Sequence, residues 1–444
     1  MTTQIFQAST LYGIATLAAA LDSGCFDSAD RRILLVCNNA ATPETTPGPD
    51  AMPGFERLRD RFDDVISYNE TIFPFHPGGW APRVDDMPLW ERFLRHEWRL
   101  GDEDVELAVE SIQVNPALAL AQIFNGAPVT VYADGLMSYG PTRNKIDPLV
   151  GTRIDRVLHL DLVPGLAPLL LTEFKVPGEL VPTQAFTKVL AELAQTSAES
   201  PDVEEPALLL GQYLSALDIL TAEQEENLHV RMLRGAAALG HTAVVFKPHP
   251  TAPARYTRSL EQEAERLGVE LTVVDTPVLA EVLYQRMRPA LVVGCFSTAL
   301  LTASALYGLP VARVGTELLL ERLTPYENSN RIPVTIVDAL LPELSDTAAV
   351  TERRQGMDVD RLGALVRAVG FAMQSKILPG LRAETETWLA ANFGPRTSRY
   401  FKRRRLTSLA LPGGIPSQLA FIPRNVTVRR VAKKARSLRR TVRR

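Results

Sequence analysis

Short apolar runs that end in polar or glycine-containing turns alternate with helical stretches along most of this chain. Runs at 5–8, 33–37, 128–132 and 156–160 read as strands, and 11–21 has helical spacing. A second series follows. Its strands are expected at 207–210, 242–246, 269–274, 290–293 and 310–314, and its helices at 223–239, 260–267, 277–285 and 298–307. Parallel strands need a crossover connection, usually a helix, so this alternation points to βα units and parallel sheets. Between the two series, 195–206 is polar and contains two prolines, the composition of a linker. At 444 residues the chain exceeds one ordinary hydrophobic core. The expected fold is α/β, with two Rossmann-like domains (1–194 and 207–375) facing a cleft. A helix at 376–395 is expected to cross back to the first domain, and a basic tail occupies 396–444.

Composition narrows the class. Apolar residues make up 46% and charged residues 22%, as in a soluble globular protein. The net charge of −3 conceals an asymmetry: residues 388–444 carry 16 Lys or Arg and no Asp or Glu, so the body is acidic. In the tail, Val428, Val431, Ala435, Leu438 and Val442 recur at spacings of 3 and 4 among Arg and Lys. One apolar stripe on a basic helix is the pattern of an anchor on an anionic membrane surface. A disordered solubilising tail is the plainer alternative. An acidic body, and no aromatic platform among the tail's charges, argue against nucleic acid as a partner. Cys25, Cys37 and Cys295 are scattered without metal-ligand spacing, which fits a reducing compartment. The N-terminus lacks the basic n-region of a secretion signal, and no run of 18 apolar residues offers a spanning helix. The expected location is cytoplasmic, in peripheral contact with the inner face of the membrane.

Three strand ends carry the chemistry. Residues 244–246 run into Lys247, Pro248, His249 and Pro250. Proline fixes its own φ and restricts its predecessor, so His249 has little backbone freedom. It sits just outside a carboxyl strand end, where open parallel sheets bind ligands. Such a histidine suits a phosphate; a plain turn that contains His is the alternative. Ser297 and Thr298 stand where a strand gives way to a helix. Backbone N–H groups and hydroxyls there form a phosphate site, or simply cap the helix. Asp134-Gly135 follows the 128–132 strand. Asp-Gly is a common turn, but a carboxylate facing the second domain's phosphate site can also accept a proton from an acceptor hydroxyl. No aspartate-rich metal cluster follows a strand, so neither metal nor cofactor is expected. A cationic His249 with Lys247 would stand in for a divalent ion, unless Lys247 is a solvated loop charge.

An acid-Gly pair in the first domain, His-Pro in the second, and a Ser/Thr pair about fifty residues later together resemble bacterial sialyltransferases of the GT-B type. The resemblance is strongest to the bacterial α-2,8-polysialyltransferase family. Residues 208–214 (LLLGQYL) and 132–140 (YADGLMSYG) carry the same pattern, and the likeness covers roughly 1–330. It implies a GT-B enzyme that moves sialic acid from CMP-sialic acid to a glycan hydroxyl, inverting and metal-independent, in making a cell-surface or capsule glycan. Asp134 would be the general base. His249 would contact the departing CMP phosphate, with Ser297 and Thr298 holding the same group. Glu281, 32 residues after His249, is placed like the acid that binds the nucleotide ribose. Gly211, Gln212, Lys247 and Pro250 would line the nucleotide side. Ser9, Thr10 and Asn38 would line the acceptor side, and Arg143 would pair with a sialic acid carboxylate. The family shows two consecutive acids before the glycine, whereas the first position here is Ala133. Two alternatives stay open: a transferase using CDP-glycerol or a UDP-sugar, and a catalytically silent relative that keeps the cleft.

Overall fold

The computed structural model describes residues 1–133, 135–195, 201, 203–249, 255–354 and 356–415. The first half contributes β1 (Thr2–Ala8), β2 (Arg31–Val36), β3 (Asp64–Ser67), β4 (Asp104–Glu110), β5 (Val129–Ala133), β6 (Ile154–His159) and β7 (Gly178–Leu180). They form one sheet in the order β3-β2-β1-β4-β5-β6-β7. The second half contributes β8 (Ala207–Leu210), β9 (Ala243–Lys247), β10 (Glu270–Val273), β11 (Leu291–Gly294) and β12 (Val311–Arg313), in the order β10-β9-β8-β11-β12. Every pairing in both sheets is parallel. The fold is the expected α/β pair of Rossmann-like halves.

The inner strands are unbroken apolar runs because both faces of a parallel sheet are covered. Phe6, Leu34 and Ala108 share a core with Ile14 and Leu17 of the Leu11–Asp22 helix and with Phe186 and Val189 of the Thr183–Ala194 helix. Ile5, Leu35 and Val109 belong to a second core with Trp98 and Phe124. Strands β3, β4 and β7 were not anticipated. β3 and β7 are short edges, and β4 hides because Asp104, Glu106 and Glu110 interrupt its apolar residues. In both sheets the winding reverses beside the first strand, between β1 and β4 and between β8 and β11. Open parallel sheets bind ligands at such reversals.

The halves touch through helices. The Thr183–Ala194 helix packs on the Ala280–Met287 helix. There the Arg286 guanidinium donates to the Ala194 carbonyl from Nε at 3.0 Å and Nη2 at 2.8 Å. The Tyr12 hydroxyl lies 3.4 Å from Thr302 Oγ1 in the other half. The return to the first domain begins earlier than 376–395. It is the Val359–Met373 helix whose Gly370 lies so near Leu169 that a Cβ would come within 2.8 Å of Leu169 Cδ1. Just beyond it, Gln374 Nε2 donates to the Arg143 carbonyl at 2.9 Å. The Arg382–Asn392 helix, within the 376–395 segment, packs on Val359–Met373.

The body also runs further than expected. Tyr400, Phe401, Leu406 and Leu411 are buried. Arg405 donates to the Ala372 carbonyl at 2.6 Å and to the Met373 carbonyl at 2.9 Å, satisfying the open end of the long helix. The basic cluster 402–405, grouped above with the tail, is therefore part of the folded body. The apolar stripe at 428–442 lies outside the described residues. Among the described residues, no helix is long and apolar enough to cross a membrane.

Candidate active site

The carboxyl ends of both sheets line one cleft of about 430 Å³. The first sheet supplies Ser9 after β1, Glu110 at the end of β4, and Ala133 and Gly135 around the end of β5. The second supplies Gln212 after β8 and Phe296, Ser297 and Thr298 after β11. Each winding reversal is bridged by a hydrogen bond. In the first sheet, Ser9 N and Oγ donate to Glu110 Oε2 at 3.0 and 2.5 Å. In the second, Phe296 N donates to Gln212 Oε1 at 3.2 Å. Two switch points thus face the same space.

The turns that form these walls follow from local chemistry. Ser297 is the N-cap of the Thr298–Tyr307 helix, and its Oγ accepts from Ala299 N at 3.2 Å. Capping and cleft lining are one arrangement here, since the hydroxyl hydrogen has no acceptor among the described residues. Opposite, Gly135 comes close to this helix start: a Cβ there would lie 3.1 Å from Thr298 Oγ1. A side chain would push the two loops apart. Asp134 lies outside the described residues, between two residues that line the cleft. Pro250 also lies outside them.

The residues expected on the nucleotide side divide: Gln212, Ser297 and Thr298 line this cleft, and Gly211, Lys247, His249 and Glu281 do not. Gly211 N donates to the Lys247 carbonyl at 2.9 Å, which ties the His249 loop to the turn that carries Gln212. A Cβ on Gly211 would come within 2.9 Å of Phe246 Cζ, so the glycine permits that approach. His249 lies against Tyr213, with ring centroids 3.9 Å apart and planes at 38°. Burial, reinforced by the charge of Lys247, drops the imidazole to about 4. The ring is therefore neutral at neutral pH when no ligand is bound. Burial likewise drops Lys247 to about 8, against the pull of Glu281. Glu281 is only 3% exposed, and burial pushes its carboxyl up to about 7, against a hydrogen bond from Thr302 and the charge of Lys247.

The acceptor-side residues divide. Ser9 and Arg143 line the cleft. Burial lowers the Arg143 pKa, and its backbone N donates to Gln113 Oε1 at 2.7 Å. Among the described residues no ion pair to Arg143 is formed. Thr10 is exposed, and its Oγ1 accepts from Gly13 N at 2.9 Å as the cap of the Leu11–Asp22 helix. Asn38 lines a neighbouring groove, while Asn39 lines the cleft. Sequence reasoning missed Glu110, whose carboxyl burial pushes up against the two bonds from Ser9. The available signal was an acid closing an alternating strand, at the height of the Ser9 turn. Among the described residues, no three His, Cys, Asp or Glu are grouped as metal ligands.

Solved structures similar to this chain include MurG from Acinetobacter baumannii, at 10% identity over 87% of this chain and 95% of that one, with a TM-score of 0.40. A sialyltransferase from Photobacterium damselae is 11% identical over 75% and 95% of the two chains, with a TM-score of 0.37. A Photobacterium 2,6-sialyltransferase in a ternary complex with CMP and lactose is 10% identical over 75% and 74%, with a TM-score of 0.37. No curated protein matches the chain. The family model described as alpha-2,8-polysialyltransferase (POLYST) matches residues 4–316. Matched from within β1 to just past β12, the chain belongs to the alpha-2,8-polysialyltransferase family.

Proposed function

We propose that this sialyltransferase moves sialic acid from CMP-sialic acid to a glycan hydroxyl, with inversion and without a metal ion. One observation carries the reading: the two switch points, bridged by Ser9–Glu110 and Gln212–Phe296, open onto one cleft. Transfer forms a bond from the acceptor oxygen to the anomeric carbon and breaks the bond from that carbon to the phosphate oxygen. Negative charge then grows on the CMP phosphate. The Ser297 hydroxyl and the N-terminal N–H groups of the Thr298–Tyr307 helix are fixed donors for it, and fixed donors stabilise a transition state most where charge develops.

The remaining roles follow. Asp134 takes the acceptor proton, and Glu110 holds Ser9 in the acceptor wall. Arg143 faces the sialic acid carboxylate. Phosphate charge raises the pKa of His249, so the imidazole takes up a proton as the donor binds. Gly211, Gln212, Lys247 and Pro250 form the nucleotide wall. Glu281 meets the ribose only if the Ala280–Met287 helix yields, because its carboxyl is buried in the free protein. The apolar stripe at 428–442 and its basic neighbours hold the enzyme to an anionic membrane on the cytoplasmic side, where a surface or capsule glycan is built.

Family membership favours this reading over a CDP-glycerol or UDP-sugar donor. The test is incubation with CMP-sialic acid, CDP-glycerol and UDP-sugars, with nucleotide release measured with and without a chelator. The expected result is acceptor-dependent CMP release that the chelator leaves unchanged. Release of CDP or UDP, and none of CMP, overturns it.

A further inference from the structure

At the winding reversal of the first sheet, Ser9 gives two hydrogens to a single oxygen of Glu110. Oε2 accepts from Ser9 N at 3.0 Å and from Ser9 Oγ at 2.5 Å. The other oxygen, Oε1, meets no donor among the described residues and is not sealed from solvent. Glu110 is half-buried and lines the cleft. Burial pushes its carboxyl up, and the two bonds from Ser9 pull it back towards the ionised form. Ser9 has spent its hydroxyl hydrogen, so the pair turns lone pairs to the cleft and no hydrogen.

The backbone holds this pair in place. Glu110 stands opposite Tyr132 in the β4–β5 pairing, and the next residue of β5, Ala133, fronts the same wall with only a methyl group. Directly after Glu110, Ser111 and Ile112 have φ of 59° and 47°. Left-handed backbone at two successive residues that are not glycine, one of them β-branched, is strained, and such strain collects at ligand sites. It turns the chain so that Ser111 joins Ser9 and Glu110 in the cleft wall, while Gln113 Oε1 accepts from Arg143 N at 2.7 Å. A fixed wall of acceptors calls for a ligand that brings donors. Sugar hydroxyls on adjacent carbons are such donors, and a site built to bond a hydroxyl rejects the analogue lacking it.

We propose that Glu110 is a specificity-determining residue: its Oε1, together with Ser9 Oγ, accepts hydrogen bonds from acceptor hydroxyls that neighbour the attacking one. The inference rests on reading the cleft as the glycosyl-transfer site. The test uses the full-length protein and CMP-sialic acid, with α-2,8-linked trisialic acid and lactose as acceptors, each beside its monodeoxy derivatives. Glu110→Gln puts an amide donor where an acceptor stood. It should raise KM for the better acceptor at least tenfold and KM for CMP-sialic acid less than threefold. Glu110→Asp, which keeps the charge one methylene back, should fall between. At least one monodeoxy derivative should lose at least tenfold in kcat/KM with the unaltered protein and less than threefold with Glu110→Gln, because its partner is already gone. Ser9→Ala, which removes only the hydroxyl, should blunt the same discrimination. A role in folding alone would lower the melting temperature and leave the discrimination intact.

Three outcomes overturn the proposal. Acceptor KM stays unchanged in both Glu110→Gln and Ser9→Ala, the monodeoxy penalty is the same with and without these changes, or neither sugar raises CMP release above that from donor alone. Release from donor alone is read separately. Its presence without any acceptor effect overturns this inference and leaves the reading of the cleft standing. Its absence under every condition overturns that reading, and donor-free calorimetric titration with the two sugars then decides the inference by the same tenfold weakening in Glu110→Gln.

Discussion

His249 sits in a place that suppresses its charge. Its ring lies 3.9 Å from that of Tyr213, and burial together with Lys247 drops the imidazole to about 4. A neutral ring next to a cation is a poor acid. The phosphate proposed to enter here would reverse the balance, because an opposite charge within a few ångströms favours the protonated ring. We therefore expect His249→Ala to lower kcat by more than about 10²-fold, the usual magnitude for losing one donor to a developing charge. KM for the donor should change less, since the interaction strengthens in the transition state. Measured CMP release with kcat unchanged would remove His249 from the mechanism. The histidine was legible in the sequence because two prolines and a strand end surround it. Its neutrality was not, because burial by Tyr213 and the charge of Lys247 are spatial facts. Glu110 was illegible for a related reason: its role depends on Ser9, about a hundred residues away, through the β1–β4 pairing.

The Thr298–Tyr307 helix was readable to the residue. Ser297 caps it, and Gly308, with φ of 62°, ends it in the left-handed region that favours glycine. Strand β4 was not readable, since a central strand with three acids breaks the apolar run that parallel sheets normally show. Between such elements lies the pair Glu281, on the Ala280–Met287 helix, and Lys247, at the end of β9. Their shifts give a pH dependence with a definite sign. An unfolded Glu loses its proton near ~4.3, whereas folded Glu281 holds it to about 7. The folded state binds more protons in that window, so the stabilising effect present below it is lost as pH rises towards 7. Lys247 is opposite. It releases its proton at about 8 when folded and near ~10.4 when unfolded, so stability recovers as pH rises from 8. Together these place a shallow stability minimum between pH 7 and 8. Melting temperatures across pH 5–10 check it. Glu281→Gln should remove the descending limb and keep the ascending one; an unchanged limb would mean that Glu281 does not titrate there.

The described part of the basic end, through residue 415, packs against the acidic body. Tyr400 donates to Asp338 Oδ2 at 2.8 Å, and Asp338 also meets Arg313 Nη1 at 3.1 Å. Phe401, Leu406 and Leu411 are buried, and Arg405 closes the carbonyl end of the Val359–Met373 helix. Burying a large apolar side chain contributes roughly 1.5–3 kcal/mol. A chain ended at 400 therefore loses several kcal/mol, and should melt about 5 °C or more below the full-length protein. A chain ended at 415 keeps all of these contacts and should melt with the full-length protein. The two cuts separate folding from anchoring. Both remove the stripe at 428–442, whose basic neighbours contribute about 1 kcal/mol each near an anionic surface. The 1–415 chain should thus leave phosphatidylserine vesicles in a flotation assay, while full-length protein floats with them and is released by salt. If the 1–415 chain still floats, the anchor lies in the folded body, and the basic end has another role.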